Sequence, residues 1–121
     1  MNATHYRYVV TPGEGVVTLT LSGEIDYAAT LALAPVVDEI VDGSGCDLLF
    51  DLENVTLIDS EGIKMLLVVF DRLHHQRRNG EVVRRSKQVD RIMSLAGVDE
   101  LFAGGNPAAH HSSERTYWRL A

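Results

Sequence analysis

NVTLIDSEGIKMLLVVF, residues 54–70, joins an apolar run with strand character to an apolar run with helical spacing. Between the two runs lies the polar break Asp59-Ser60-Glu61-Gly62. Aspartate and serine are favoured where a helix begins, because their side-chain oxygens accept hydrogen bonds from the free N–H groups of the first turn. The stretch therefore predicts a strand that ends at the break and a long helix that runs from it to about Arg78, with Asn79-Gly80 as its left-handed end.

Strands and helices alternate on both sides of this stretch. Apolar residues alternate over 7–11 and 16–22, around turn residues 12–15, which is typical of a β-hairpin. The other predicted elements are a helix over about 30–42 closed by Gly43-Ser44-Gly45, a central strand over 47–52, a strand over 81–84, a helix capped by Ser86 and ended by Gly97, and a last strand or core plug at Leu101-Phe102. This order predicts an α/β fold in which helices pack on a sheet.

Pro35 bears on where the first helix begins. If Thr30 or a nearby residue is the N-cap, Pro35 falls in the first turn, where proline is tolerated; otherwise it kinks the helix. The inward face of this helix is expected to comprise Leu33, Val36, Val37 and Ile40. In the helix after Ser86, the expected inward residues are Val89, Ile92, Met93 and Ala96.

The composition is that of one compact domain. The chain has 121 residues, 45% hydrophobic and 23% charged. No apolar run reaches about 18 residues, and the N-terminus lacks the pattern of a signal peptide, so we expect a cytoplasmic protein without a membrane segment. The net charge of −6, with no basic stripe, makes nucleic acid an unexpected partner. We expect a domain over 1–105 and a loosely held C-terminal tail over 106–121.

A helical wheel of the long helix separates an inward stripe from an outward strip. The inward stripe comprises Ile63, Leu66, Leu67, Phe70 and Leu73. The outward strip, which leads away from Ser60, comprises Glu61, Met65, Val68 and Arg72. The strip is either incidental surface, a homodimer seam, or a partner-binding face that adjoins the serine.

Ser60 itself has two interpretations. As an N-cap it is a structural residue. A phosphate also fits at a helix N-terminus without unfolding it, because free N–H groups and a positive partial charge lie there. A phosphoserine adds about −1.5 to −2 charges at neutral pH, which can end a contact while the domain stays folded.

Three segments together resemble the STAS domains, and among them the bacterial anti-sigma factor antagonists. They are LTLSGEIDYAAT (19–30), LLFDLENVTLIDSEGIKMLL (48–67) and GEVVRRSKQVDRIMSLAGVDELF (80–102). The Gly-Glu-Ile-Asp, Asp-Ser-x-Gly and Ala-Gly-x-x-x-Leu-Phe series stands in the family's order, and the similarity covers roughly residues 6–103. It implies a STAS-like mixed β-sheet with an N-terminal β-hairpin and helices packed on the sheet.

The same resemblance implies a function. In such antagonists the serine after the loop aspartate is phosphorylated by the anti-sigma factor, a serine kinase of the GHKL type, and restored by a serine phosphatase. The unphosphorylated antagonist binds the anti-sigma factor and frees the sigma factor. Ser60 is then the phosphosite, and Asp26 and Asp59 support it. Partner contacts fall on Glu24, in the loop after Gly23, and on the outward strip Glu61, Met65, Val68 and Arg72. The chain is expected to be a monomer or weak homodimer.

Two features, at three positions, depart from the family pattern. Glu61 stands where a small residue is usual, and its charge opposes the approach of an ATP γ-phosphate unless the partner supplies a base or the carboxylate helps to hold Mg²⁺. Arg84 and Arg85 replace an apolar and a small residue. These departures bear on the identity of the partner and leave the fold prediction intact.

Three other functions compete with this one. An unphosphorylated STAS adaptor of an ATPase or lipid-transport complex has the same fold. A response-regulator receiver is suggested by Asp51 at the end of a central strand, but the first strand lacks the acidic pair that holds Mg²⁺. An enzyme would need a base near Ser60, and the histidines lie in a terminus, a helix end and a tail, without a catalytic motif.

Cys46 is a lone cysteine, so neither a disulfide nor a zinc site is expected. The sequence also leads us to expect no cofactor.

Overall fold

The computed structural model describes residues 5–98. Its elements, in chain order, are β1 (Tyr6–Pro12), β2 (Val16–Ile25), α1 (Tyr27–Asp38), a π-helical segment (Glu39–Ser44), β3 (Asp47–Ile58), α2 (Ser60–His75), β4 (Gly80–Arg85) and α3 (Lys87–Leu95). The predictions for Leu101-Phe102, for a domain end at residue 105 and for the tail fall outside the described residues. Within 5–98, no helix combines the length and the apolar character needed to cross a bilayer.

The four strands form one mixed sheet in the order β1-β2-β3-β4. β1 and β2 are the predicted antiparallel hairpin, whereas β2 and β4 both run parallel to β3. Parallel neighbours need a crossover connection, which α1 with the π-helical segment and α2 supply. Leu48, Phe50 and Leu52 of the central strand are fully buried, and the Phe50 ring lies 5.9 Å from that of Phe70 in α2. The fold prediction is therefore confirmed, with β3 at the centre.

β3 is longer than predicted. The run at 47–52 and the apolar run before Asp59 form a single strand of 12 residues. Its register against β2 shifts between Thr20 and Ser22 and again between Gly23 and Glu24. These irregularities let one strand continue where the alternation of apolar residues breaks down.

The first helix begins earlier than predicted. Its N-cap is Asp26, whose Oδ1 accepts a hydrogen bond from the N–H of Ala29 at 3.0 Å, so Thr30 lies inside the helix. Pro35 consequently sits near the C-terminal end and not in the first turn. Proline cannot donate the N–H that an α-helix bonds to the carbonyl four residues earlier. The helix ends at Asp38 and the chain continues in the wider π-type winding to Ser44, with Gly45 in a left-handed conformation.

The C-terminal end of α2 also differs from the prediction. The left-handed residue is Arg77, with φ 61°, and not Asn79 or Gly80. The N–H of Arg78 donates to the carbonyl of Leu73 at 2.8 Å and that of Arg77 to the carbonyl of His74 at 2.9 Å. This is the pairing of a Schellman motif, in which glycine usually occupies the left-handed position. The Arg78 guanidinium also donates to the carbonyls of Cys46 and Ile40, which fixes the turn against the π-helical segment.

The buried faces of the helices largely follow the predictions, although Val36 of α1 and Ile92 of α3 are only half-buried. The buried residues of α2 are Gly62, Ile63, Leu66, Val69, Phe70 and Leu73. Val69 was not predicted to be buried, and Leu67 is only half-buried, because the helix packs on α1 as well as on the sheet. In α3, Ser86 is the N-cap and Gly97 is left-handed, as predicted, but Ala96 is exposed.

Candidate functional site

The candidate site lies where α2 begins. Asp59 is the N-cap, and its Oδ1 accepts hydrogen bonds from the N–H groups of Glu61 and Gly62, both at 3.0 Å. The prediction that Ser60 caps the helix is therefore wrong: Ser60 is the first helical residue. Its side chain is exposed, and its hydroxyl makes no hydrogen bond with any part of 5–98. Because the cap is provided by its neighbour, the hydroxyl is accessible for chemistry.

Gly62 allows α2 to start directly on the sheet. A Cβ atom at this position would lie 2.6 Å from Cγ1 of Ile58 and 2.8 Å from the carbonyl oxygen of Ile25. Real Cβ atoms essentially never approach other atoms so closely. The glycine of the Asp-Ser-x-Gly series is thus required by packing, and this packing fixes the position of Ser60 relative to the ends of β2 and β3.

The two predicted supporting acids lie at the same end of the sheet, beside the carboxyl ends of two neighbouring strands. Ile25 and Ile58 are paired residues at the carboxyl ends of the parallel strands β2 and β3. Asp26 and Asp59 directly follow them, and each caps the helix that comes next. Parallel strands bring their carboxyl ends together, so the structure places both N-caps and Ser60 at one end of the fold.

Asp26 has a partner that sequence reasoning missed. Its Oδ2 lies 3.0 Å from Nε2 of His5, which precedes β1. The pKa of Asp26 is lowered, chiefly by the hydrogen bond from the N–H of Ala29; partial desolvation opposes this shift, and the contact with His5 adds to it. Asp26 is therefore a carboxylate at neutral pH. No local pattern predicts the contact, because the hairpin register brings together residues 21 positions apart.

The contact with His5 extends to Glu24. The N–H of Glu24 donates to the carbonyl of His5 at 2.8 Å, and the Glu24 side chain is exposed. The possible ligand atoms of His5, Glu24 and Asp26 all lie within 4.8 Å of one another. Both oxygens of Asp26 already have partners, the N–H of Ala29 and the ring of His5. These two contacts explain why His5 and Asp26 lie together.

The outward strip of α2 lines a groove against α1. The groove has a volume of about 230 Å³, and its walls are formed by Thr30, Ala34, Val37 and Asp38 on one side and by Glu61, Lys64, Met65, Val68, Val69 and Arg72 on the other. Val68 is exposed to 50%, as predicted. Met65 was expected to point outward, but α1 half-buries it in the groove. The four strip residues are thus brought together on one surface that leads away from Ser60.

Arg72 closes one end of this groove. Its guanidinium donates to Oδ1 of Asp38 at 2.8 Å and to both carboxylate oxygens of Asp42 at 3.0 Å. These contacts raise the pKa of Arg72, the hydrogen bond to Asp38 contributing most and desolvation opposing it. The side chain ties α2 to the C-terminal end of α1 and to the π-helical segment. Its charge is therefore largely compensated within the fold.

Arg84 and Arg85 have intramolecular roles that the sequence did not reveal. Arg84 forms an ion pair with Asp51, a carboxylate that is only 6% exposed, and a second one with Glu53 at 3.1 Å. The hydrogen bond to Asp51, together with the charges of Asp51 and Glu53, raises the pKa of Arg84. Arg85 pairs with Asp90 of α3 at 3.1 Å. Asp51, which had suggested a receiver, is thus engaged in a structural ion pair.

Comparison with known proteins gives consistent matches. Residues 8–114 match the family model of the STAS domain. Anti-sigma-F factor antagonist RsfB of Mycobacterium tuberculosis is 31% identical over 93 residues, which cover 77% of this chain and 75% of that relative.

Solved structures of other proteins have the same fold. The crystal structure of an anti-sigma factor antagonist from Mycobacterium paratuberculosis superimposes with a TM-score of 0.67 and 28% identity, over 80% of this chain and 82% of that one. The phosphorylated form of the Bacillus cell fate determinant SpoIIAA gives a TM-score of 0.64 over 77% of this chain and 86% of that one. At 15% identity, this second similarity concerns the fold alone.

Proposed function

Because the chain belongs to the STAS domain family, we propose that it is an anti-sigma factor antagonist whose binding is switched by phosphorylation of Ser60. In this proposal the unphosphorylated protein binds an anti-sigma factor, a serine kinase of the GHKL type, and thereby releases a sigma factor in the cytoplasm. A serine phosphatase reverses the modification. The observation that carries the proposal is the exposed Ser60 hydroxyl at the start of α2, next to a carboxylate that already caps the helix.

The cap determines what a phosphate on Ser60 would do. Asp59 already accepts the N–H groups of Glu61 and Gly62, so the phosphate would not be needed to satisfy the first turn. It would remain at the surface, in the positive end of the helix dipole but close to the carboxylates of Asp59 and Glu61. The helix would persist, while the surface around Ser60 would become about 1.5 to 2 charges more negative. Such a change acts on a bound partner and not on the fold.

The proposed contact surface runs from Glu24 along the strip Glu61, Met65, Val68 and Arg72. Val68 offers exposed apolar area at its centre, and Met65, half-buried in the groove, is an adaptable side chain at its floor. Arg72, held by Asp38 and Asp42, bounds the surface and keeps α1 and α2 in register. A partner that covers this strip also covers Ser60, which supports coupling between binding and phosphorylation.

Glu61 makes the proposed partner selective. Its Oε1 lies 3.8 Å from Nζ of Lys64; the Lys64 side chain is exposed and that of Glu61 partly so, and solvent therefore screens this pair. Most of the negative charge of Glu61 therefore remains available beside the acceptor hydroxyl. We infer that the matching kinase carries a basic residue opposite Glu61, or uses this carboxylate in its Mg²⁺ site.

The test of the proposal is the intact mass of the full chain after incubation with a GHKL anti-sigma kinase of its host and Mg-ATP. The expected result is the gain of one phosphoryl group, absent in Ser60→Ala and removed by a serine phosphatase. Ser94→Ala, which changes an exposed serine of α3, serves as the matched control and should be phosphorylated like the wild type. Phosphate gain at another residue would contradict the assignment of Ser60.

Glu61 favours a second candidate, an unphosphorylated STAS adaptor subunit of an ATPase or lipid-transport complex. In such a protein the charge beside Ser60 carries no penalty, because no ATP approaches it. A stable complex with an ATPase subunit, without a change in mass under any kinase, would support the adaptor and overturn the switch.

A further inference from the structure

The outer edge of β1 is unusually open for strand pairing. β1 is an edge strand, and its register against β2 runs from Tyr6 to Pro12 without a bulge. Three consecutive apolar residues are exposed on it: Tyr8 to 44%, Val9 to 58% and Val10 to 40%. Monomeric proteins usually protect such an edge with charged side chains, prolines, bulges or very short strands. β1 carries such residues only towards its ends, Arg7 and Pro12, and its middle, 8–11, has none. No other strand of residues 5–98 pairs with its outer edge.

The hairpin hydrogen bonds determine which backbone groups face outward. The carbonyl of His5 accepts the N–H of Glu24, and the N–H of Gly13 donates to the carbonyl of Val16. In an antiparallel pair, residues that bond to the neighbour alternate with residues that do not. Odd-numbered residues of β1 therefore bond to β2, whereas Tyr8 and Val10 direct their N–H and C=O groups away from the sheet. Pro12, which has no N–H, falls in the outward set, as expected at an edge.

An apolar groove lies directly beside this edge. It has a volume of about 490 Å³ and is lined by Tyr8, Val10 and Val17 of the hairpin and by Val36, Glu39, Ile40, Gly43 and Ser44 of α1 and the π-helical segment. Tyr8 and Val10 thus combine backbone groups that point away from the sheet with side chains that line an open apolar groove. A strand added to β1 would place its own side chains at the rim of this groove.

We propose that the occupant of this edge is a second copy of the chain, whose β1 pairs antiparallel with the first around a two-fold axis at Val9. This register makes Tyr8 and Val10 the hydrogen-bonded pairs, each facing the partner's Val10 or the partner's Tyr8. Aromatic residues opposite β-branched residues are favourable cross-strand pairs. Each tyrosine ring would then lie over the groove of the other protomer, and the sheet would continue through both copies.

The charges and the proline fit this register. Arg7, the single charged residue of β1, would face the partner's Thr11, so no like charges would stand opposite each other. Pro12 would face the partner's Tyr6 at the end of the strand, where only its carbonyl is needed. Isologous pairing of identical patches closes as a dimer and leaves no free copy of this edge. The proposal concerns the middle of β1 and is independent of the function proposed for Ser60.

Disulfide cross-linking tests the register. In a Cys46→Ser background, which removes the lone native thiol, Val9→Cys would place two thiols at a non-hydrogen-bonded pair whose Cα atoms lie about 4.5 Å apart, within the range for a disulfide. Thr11→Cys is the matched control, since its two copies would be about 14 Å apart. The expected result is a disulfide-linked dimer on a non-reducing gel for Val9→Cys and none for Thr11→Cys. Equal cross-linking of both variants would overturn the register.

The oligomeric state tests the edge itself. Light scattering after size exclusion, over a range of concentrations, should show a dimer for the wild type and a dissociation constant raised at least about tenfold for Val9→Lys, because like charges would face each other at the axis. Leu31→Lys on α1 is the matched control, since Leu31 is 59% exposed, and should dimerise like the wild type. A wild type that is monomeric throughout, with no cross-link from Val9→Cys, would overturn the proposal and indicate that the edge is bare or covered by the chain itself.

Discussion

The backbone N–H of Asp59 donates to the carbonyl of Ile25 at 3.3 Å. This bond joins the last residue of β2 to the residue that caps α2. Because Asp26 follows Ile25 and Ser60 follows Asp59, one contact between neighbouring strand ends sets the relative position of the first N-cap and the exposed serine. The local geometry of the proposed switch thus depends on packing at the carboxyl ends of β2 and β3.

Gly62→Ala should destabilise the protein although alanine is the better helix former. The added Cβ would contact Ile58 and the carbonyl of Ile25, and we expect a loss of about 1–3 kcal/mol in the free energy of unfolding, as for overpacked cores. The gain in helix propensity, about 1 kcal/mol, offsets only part of it. Urea unfolding measures the difference. Gly43→Ala is the control, since no atom lies within 4 Å of its Cβ position, and an equal loss in both variants would contradict the packing role of Gly62.

Asp59→Ala and Ser60→Ala should separate the cap from the acceptor. Loss of the Asp59 carboxylate leaves the N–H groups of Glu61 and Gly62 without their partner, which should cost about 0.5–2 kcal/mol. Asp59→Asn should retain most of the stability, because its carbonyl oxygen can still accept. Ser60→Ala should be nearly neutral in thermal unfolding. If Ser60→Ala were as unstable as Asp59→Ala, Ser60 would contribute to the cap as much as Asp59 does.

Local patterns in the sequence predicted the elements better than the contacts between them. The hairpin, the start of α2 and the cap by Ser86 follow from turn residues, from an Asp-Ser pair and from a serine before an apolar period. The start of α1 did not, because Asp26 and Thr30 are both good N-caps and only packing decides between them. The end of α2 was missed because an arginine occupies the left-handed position of its Schellman motif.

The ion pair of Arg84 with Asp51 shows why long-range contacts escape such patterns. Phe50 pairs with Val82, so regular alternation would place Asp51 opposite Val83. The register shift after Phe50 instead brings Asp51 opposite Arg84. An irregularity of one residue thus makes an exposed arginine the partner of a buried carboxylate. Only the sheet as a whole determines where such a shift falls.

Asp26→Asn should change the pH dependence of stability. The pKa of Asp26 is lowered from its ordinary value of 3.8 in the folded protein, so its charge stabilises the fold above the unfolded pKa. This contribution is fully present above the unfolded pKa, that is, above about pH 5. It is lost as the pH falls through the folded pKa. Asparagine can still cap α1 but has no charge. Chemical unfolding from pH 6 down to pH 2.5 should show the wild type lose its advantage over Asp26→Asn below about pH 4; a constant difference would contradict the assignment.

Arg84→Gln should lower the stability by removing the cationic partner of the Asp51 carboxylate, which would keep only the hydrogen bond from the N–H of Glu53. Asp51 is 6% exposed, and a buried charge that has lost its partner is costly. In the background Asp51→Asn the same change should matter much less, since no buried charge remains. A double-mutant cycle in urea measures this coupling. Arg91→Gln, an exposed arginine of α3, is the control, and additive effects at Arg84 and Asp51 would contradict the ion pair.

Val68→Gln should weaken binding to the anti-sigma factor without unfolding the protein. Val68 is 50% exposed, so little buried area is lost in the free protein, but the proposed interface loses its apolar centre. Loss of an interface hot spot costs more than about 1 kcal/mol, which corresponds to an increase of at least about fivefold in the dissociation constant, measurable by calorimetry. Met65→Gln should weaken binding too, together with some loss of stability because Met65 is half-buried. Leu31→Gln, an exposed apolar residue of α1 outside the groove, is the control. If Val68→Gln and Leu31→Gln bind equally well, the partner does not use the groove between α1 and α2.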